Sequence, residues 1–159
     1  MKKEEKKTEY ESEFSPKRIV VAFDASVHSI RALNAAISIS KKYRTEITVI
    51  HCVQYPVMNY GDGNVYYNWD KYYAIEKENI TKASKALIDG AKKKRIKINL
   101  VFTESTTSVA ESILVEAKKV KPDLIVMGSR GLGGFKSLLL GSVSNAVVAH
   151  STVPVLIIK

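Results

Sequence analysis

The sequence predicts an α/β fold, a five-stranded parallel sheet with helices on both faces, and two observations carry that reading. Short apolar runs recur at residues 17–23, 47–53, 96–102, 123–127 and 153–158. The clearest of them are continuous rather than alternating, as expected of strands buried on both faces of a parallel sheet. Between the runs, apolar residues return at helical spacing. The resulting order, βαβαβαβαβ, is one that right-handed crossovers wind into an α/β/α sandwich.

The first run, KRIVVAF, ends at Asp24. Ser26 then caps a helix in which Ile30, Leu33, Ala36 and Ile37 share a face, out to about Tyr43. The second run gives way to QYPVMNYGDGNVYYNW, residues 54–69, whose Pro, Gly, Asn and Asp mark a long loop. Loops of that length in compact domains are functional or mobile. Asp70 opens the next helix, with Tyr73, Ile80, Ala83, Leu87 and Ala91 as its buried stripe and Gly90 weakening its last turns. After the third run, Ser108-Val-Ala-Glu111 fits a capping box, and Val109, Ile113, Leu114, Ala117 and Val120 line one helical face. Pro122 stops that helix. DLIVM, residues 123–127, is the most apolar strand and runs directly into glycines. Beyond Gly141-Ser142, the residues Val143, Ala146 and Val147 form a short helix to about His150, and VPVLII is the final strand.

A chain of 159 residues, 45% of them apolar, suits one domain that buries roughly 70% of its unfolded surface. Residues 16–159 are expected to form it. Residues 1–15 read as a disordered tail of low apolarity, and the five lysines and five glutamates of residues 1–17 cancel. The only cysteine, Cys52, excludes an internal disulfide and a multi-thiolate metal site, and it fits a reducing compartment. His28, His51 and His150 share no ligand spacing and read as structural. MKKEEKKTEYESEF has no apolar h-region and no other run has membrane-spanning length, so the expected location is cytoplasmic.

The net charge is +9, densest in KKKRIK at residues 92–97. Such a run is either a patch for nucleic acid or another polyanion, or the solvated end of a helix, where Lys and Arg complement the dipole. The second reading is favoured, because no aromatic residue interleaves the run to stack on bases.

Open parallel sheets bind ligands outside the carboxyl ends of their strands, where the strand order reverses. Asp24 and Gly128 end strands that become central neighbours if the two halves of the chain wind in opposite directions. From Gly128 the sequence runs GSRGLGGFKSLLLGS. It misses the P-loop pattern, because Gly133 is followed by Gly134, and it misses G-x-G-x-x-G, whose last position falls on Lys136. Its glycines still have a physical use. Gly128 and Gly131 let backbone N–H groups approach an anion, and Gly141-Ser142 sits at a helix N-terminus, where orphan donors and the dipole favour phosphate. Asp24 also reads as a helix cap, but its place beside this frame favours a ligand contact. Asp24, Ser26 and His28 supply the residue types of a hydrolase triad yet lie too close together at a helix start to form the relay. Cys52 reads as a small buried apolar residue, since no neighbouring sequence lowers its pKa.

Gly128-x-x-Gly131, nine residues, then Gly141-Ser142 resembles the G-2x-G-9x-G-[S/T] pattern of the ATP-binding class of universal stress proteins. The likeness extends to Asp24-x-Ser26, to DLIVMGSRG and to the ending STVPVLII, and covers about residues 16–159. It implies a strand order of 3-2-1-4-5 and one ATP per subunit, with Mg²⁺. Asp24 would sit against the ribose or base, Cys52 and Val53 would flank the adenine, and Met127 and Gly128 would border the sugar. Arg130, Gly131, Gly141, Ser142, Val143 and Ser144 would surround the phosphates. Phe23 stands where family members often have a small residue or Pro, and Gly133 and Gly134 add slack to the loop.

The resemblance also implies a homodimer formed by antiparallel pairing of the last strand, from Val153 at one end to Ile158 at the other. That agrees with the residues themselves, since an unpaired apolar sheet edge is a template for a second chain. Pro154 near the strand start tolerates its missing N–H. The aromatic loop keeps two open uses: Tyr60, Tyr66, Tyr67 or Trp69 folding over the adenine as a lid, or the same rings packing in a dimer contact or on the domain's own surface. Between Gly128 and Ser144 no Asp, Glu, Gln or His orients a water for attack. The expected function is therefore a nucleotide-dependent stress-response module with at most slow ATP hydrolysis; the alternatives are a dimeric ATPase or a polyanion-binding protein.

Overall fold

The computed structural model describes residues 14–55, 68–133 and 139–159. Its elements run β1 (Arg18–Ala22), α1 (Val27–Tyr43), β2 (Glu46–Gln54), α2 (Trp69–Lys93), β3 (Ile98–Ser105), α3 (Val109–Val120), β4 (Leu124–Gly128), α4 (Ser142–His150) and β5 (Val155–Ile158). All strand pairs are parallel, and the order is β3-β2-β1-β4-β5, as expected. Side chains alternate across the two central strands. Ile19 and Val21 of β1 join Leu124 and Val126 of β4 in the core under α1 and α2. Val20, Ala22, Ile125 and Met127 join the core under α3 and α4. Each large side chain so buried contributes about 1.5–3 kcal/mol, which is why these strands carry no polar face.

The amino ends of β1 and β4 are pinned together, away from the crevice. The Asp123 carboxylate accepts the backbone N–H groups of Lys17 at 2.7 Å and Arg18 at 2.8 Å, and the Arg18 Nε donates to the Lys121 carbonyl at 2.7 Å. Those two amides, followed by the nearby Arg18 and Lys17 charges, hold the Asp123 carboxyl below its ordinary range. A lowered folded-state pKa means stability that is present above the unfolded value, about 3.9, and is lost as pH falls through the folded one. Asp123→Asn should therefore lower the melting temperature by about 2–4 °C at pH 7. The gap should close as the pH drops below about 4. Melts of the two proteins across pH check this, and a constant gap down to pH 2 would contradict it.

Local detail departs from the sequence reading mostly around α2. Asn68, not Asp70, caps the helix, its side chain accepting the Lys71 N–H at 2.9 Å. Asp70 lies inside the first turn, where a negative charge suits the dipole. The buried stripe is Ile80, Ser84, Ile88 and Ala91, while Ala83 is exposed and Leu87 only half-buried. Ser84 enters the core because its hydroxyl donates to the Ile80 carbonyl at 2.8 Å, so no polar group is left unpaired. β3 begins two residues later than expected, because Arg95 turns the chain at φ 61° and the Ile96 N–H returns to the Ala91 carbonyl. β5 begins at Val155, after Pro154.

Candidate functional site

The strand order reverses between β1 and β4, and a cavity of about 770 Å³ opens there at the carboxyl ends of the strands. That is within the usual range for a small-molecule site. One side is apolar, made by Ala22, Cys52, Val109, Ile113 and Met127, which share the α3 face of the sheet. Asp24, the glycine loop and the start of α4 complete the wall.

Asp24 owes its position to a tight turn. Ala25 takes the left-handed backbone at φ 63°, uncommon for a residue with a Cβ, and this swings the chain from β1 into α1. Ser26 is then the cap, accepting the Ser29 N–H at 3.2 Å. Asp24 is left for other work. Its Oδ1 accepts the Ser26 N–H at 3.0 Å and its Oδ2 accepts the Leu132 N–H at 3.2 Å, joining the end of β1 to the glycine loop.

The three frame glycines do different jobs. A Cβ on Gly128 would stand 2.7 Å from the His28 Cβ and 2.9 Å from the His28 carbonyl carbon, so this glycine lets α1 pack against β4. Helix packing is a second use for Gly128, which also borders the cavity, beside the anion approach expected from the sequence. A Cβ on Gly131 would run into the Asp24 carboxylate, so here the missing side chain does permit close approach of an acidic group. Gly141 has ordinary room for a Cβ. Its N–H donates to the Ser129 carbonyl at 2.7 Å, which fixes the start of α4 against the loop.

No side chain caps α4. Helix geometry leaves the first-turn amides of Ser142, Val143 and Ser144 without intrahelical partners, and these residues line the cavity. The dipole adds positive potential at that point. The single proton of the Ser144 hydroxyl is already committed, shared between the Ser129 carbonyl at 2.8 Å and the Gly141 carbonyl at 3.0 Å, which leaves the backbone N–H as this residue's donor to a ligand. Arg130 brings a cation to the same wall.

Of the residues singled out from the sequence, Asp24, Cys52, Met127, Gly128, Arg130, Gly131, Gly141, Ser142, Val143 and Ser144 all border this one cavity. Val53 does not. It is fully buried, and strand alternation turns its side chain away from the Cys52 face. Burial pushes the Cys52 thiol up, against a hydrogen bond with Ser112 that lowers it, so the group is a protonated part of the wall. Phe23 is buried in the core under α1 and α2, although it reaches the cavity edge.

Trp69 lies in an aromatic cluster on the domain's own surface, edge-on to Tyr55 at 4.9 Å and to Tyr72 at 6.3 Å. Tyr60, Tyr66, Tyr67, Gly134, Lys136 and residues 1–13 lie outside the described residues. The sequence reading missed His51, Tyr72 and Glu76, which form the α2 side of the cavity. His51 had been read as structural; its strand register is the only signal that places it at the crevice.

A doubly wound parallel sheet, with a crevice at its switch point and an uncapped helix start on that crevice, defines the class of open α/β domains that take ligands at their strand ends. The chain belongs to the universal stress protein family, whose model matches residues 16–159. It is 34% identical over 144 residues to a universal stress protein of Methanocaldococcus jannaschii, covering 90% of this chain and 82% of that one. It is 30% identical over 145 residues to one of Bacillus subtilis, covering 89% and 98%. Among solved structures, a universal stress protein family member from Burkholderia pseudomallei superposes with a TM-score of 0.68 at 21% identity, covering 89% of this chain and 95% of that one. A universal stress protein in complex with cAMP is similar at 25% identity and TM-score 0.60, covering 92% and 98%. One from Arabidopsis thaliana with AMP bound is similar at 21% identity and TM-score 0.63, covering 91% and 92%. Among the described residues no helix is long and apolar enough to cross a membrane.

Proposed function

We propose that residues 16–159 form one nucleotide-binding domain that takes ATP with Mg²⁺ and reports its occupancy to partners, as a stress-response module rather than a fast enzyme. The observation that carries the reading is one cavity that joins an apolar slot to the uncapped start of α4, with Gly131 against Asp24 on its wall. A base fits the slot, and a polyphosphate fits the unpaired amides of Ser142, Val143 and Ser144. Two relatives of this fold, crystallised with cAMP and with AMP, support an adenine nucleotide as the ligand.

Mg²⁺ suits this site only as an ion carried by the phosphates. Among the described residues no three His, Cys, Asp or Glu side chains converge. Mg²⁺ in nucleotide sites needs only one or two protein oxygens beside phosphate and water. Bound there, it would neutralise phosphate charge; Ser142 and Asp24, which both line the cavity, carry oxygens of the right kind. Both oxygens of Asp24 already accept backbone N–H groups, which supports at most slow hydrolysis. The second copy in a homodimer pairs along β5, a sheet edge whose Leu156 is exposed.

Calorimetric titration of Mg-ATP into nucleotide-free protein, with phosphate release followed in parallel, tests the reading. Saturable binding near one ATP per chain with turnover far below 1–100 s⁻¹, roughly the range of kinases, is the expected result. Rapid turnover would replace the module with an ATPase.

A further inference from the structure

The α2 side of the cavity holds a buried imidazole set against a partly exposed carboxylate. His51 is 5% exposed, and its Nδ1 lies 2.8 Å from the Phe23 carbonyl oxygen. A carbonyl only accepts, so Nδ1 carries a proton, and Nε2, itself buried, makes no hydrogen bond among the described residues. The polar atom opposite it is the Glu76 Oε1, 3.4 Å away, on a side chain 30% exposed. Both residues line the cavity. Glu76 makes no other polar contact among the described residues, so its second oxygen is an unused acceptor. Nε2, when protonated, holds Oε1 as an ion pair, and the second oxygen, once a ligand excludes water from it, costs free energy unless a donor reaches it.

We propose that Glu76, positioned by His51, is a specificity residue that accepts a hydrogen bond from the amino group of a 6-aminopurine base and so selects it over a 6-oxopurine. The proposal rests on the nucleotide reading above. The apolar slot contacts the faces of a flat base, and apolar contact alone does not tell one purine from another. Its edge must then be read by polar groups near the end of β2, where His51 sits. The base amine is a donor, whereas a 6-oxo group is an acceptor that meets the carboxylate with repulsion and leaves it unpaired. His51 acts through Glu76 and is a positioning residue.

The test compares Kd values for Mg-ATP and for Mg-ITP, which differ only at the 6-position and N1 of the base. Wild type should prefer ATP by about tenfold or more, the scale of one hydrogen bond to a charged group. Glu76→Gln, whose amide can donate to the 6-oxo group, should bring the two Kd values to within about threefold, chiefly by tightening ITP binding. His51→Asn should also narrow the ratio, and circular dichroism would establish that it folds; a purely structural His51 would weaken both nucleotides equally. An unchanged ATP:ITP ratio in Glu76→Gln, or no preference in wild type, overturns the proposal. Binding of neither nucleotide to wild type overturns the nucleotide reading and this inference with it.

Discussion

Gly131→Val is expected to weaken Mg-ATP binding by about a hundredfold or more while leaving the melting temperature of the free protein near that of wild type. Residue 131 is exposed, so an added side chain meets no core. It meets the Asp24 carboxylate, which occupies the space a Cβ needs. Either Asp24 moves, losing the bonds that orient it, or the loop lifts and takes the Leu132 N–H away from Asp24. Both outcomes separate the carboxylate from the loop to which the proposed function assigns the phosphates. Calorimetry and thermal melts of the variant read the two consequences independently. Wild-type affinity would mean that the loop has no part in binding.

Gly128→Ala is expected to do the opposite and lower the melting temperature by about 5–10 °C. The new methyl would lie 2.7 Å from the His28 Cβ, 2.9 Å from the His28 carbonyl carbon and 3.0 Å from the Ser29 nitrogen. Two of these three atoms are backbone in the first turn of α1, which cannot rotate aside as a side chain can. The helix must lift from β4, and Leu33, Ala36 and Ile37 lose packing against the sheet. Melts of the purified variant settle the point; an unchanged melting temperature would show that α1 yields freely there.

These two glycines stand three residues apart in one motif and look alike in sequence. What separates them is which element approaches each from outside the motif, α1 at one and Asp24 at the other. Spacing cannot express that. The strands were legible because burial on both faces forces a continuous apolar run, as in Ile19 to Ala22 and in Leu124 to Met127. The cap of α1 at Ser26 and that of α3 at Ser108 were legible because capping is local chemistry. The stripe of α2 was misread because Ser84 hides its hydroxyl on its own helix and so enters a core from which its residue type is usually excluded.

The glycine-loop end of the cavity was the readable part, since glycines and a helix start declare themselves in a short stretch. The α2 wall was not. His51 and Glu76 belong to different elements on either side of a long connection, and only the fold brings them within 3.4 Å. Val53 was grouped with Cys52 by adjacency, but neighbours in a strand face opposite ways.

The central claim is that this cavity holds an adenine nucleotide. Heat-denaturing the pure protein and identifying the released small molecules by mass spectrometry, together with a melt of the nucleotide-free protein in Mg-ATP, tests it most directly. The account predicts a released adenine nucleotide, or a melting temperature raised by about 5–10 °C at Mg-ATP a hundredfold above Kd. No nucleotide released and no shift at millimolar Mg-ATP would contradict it.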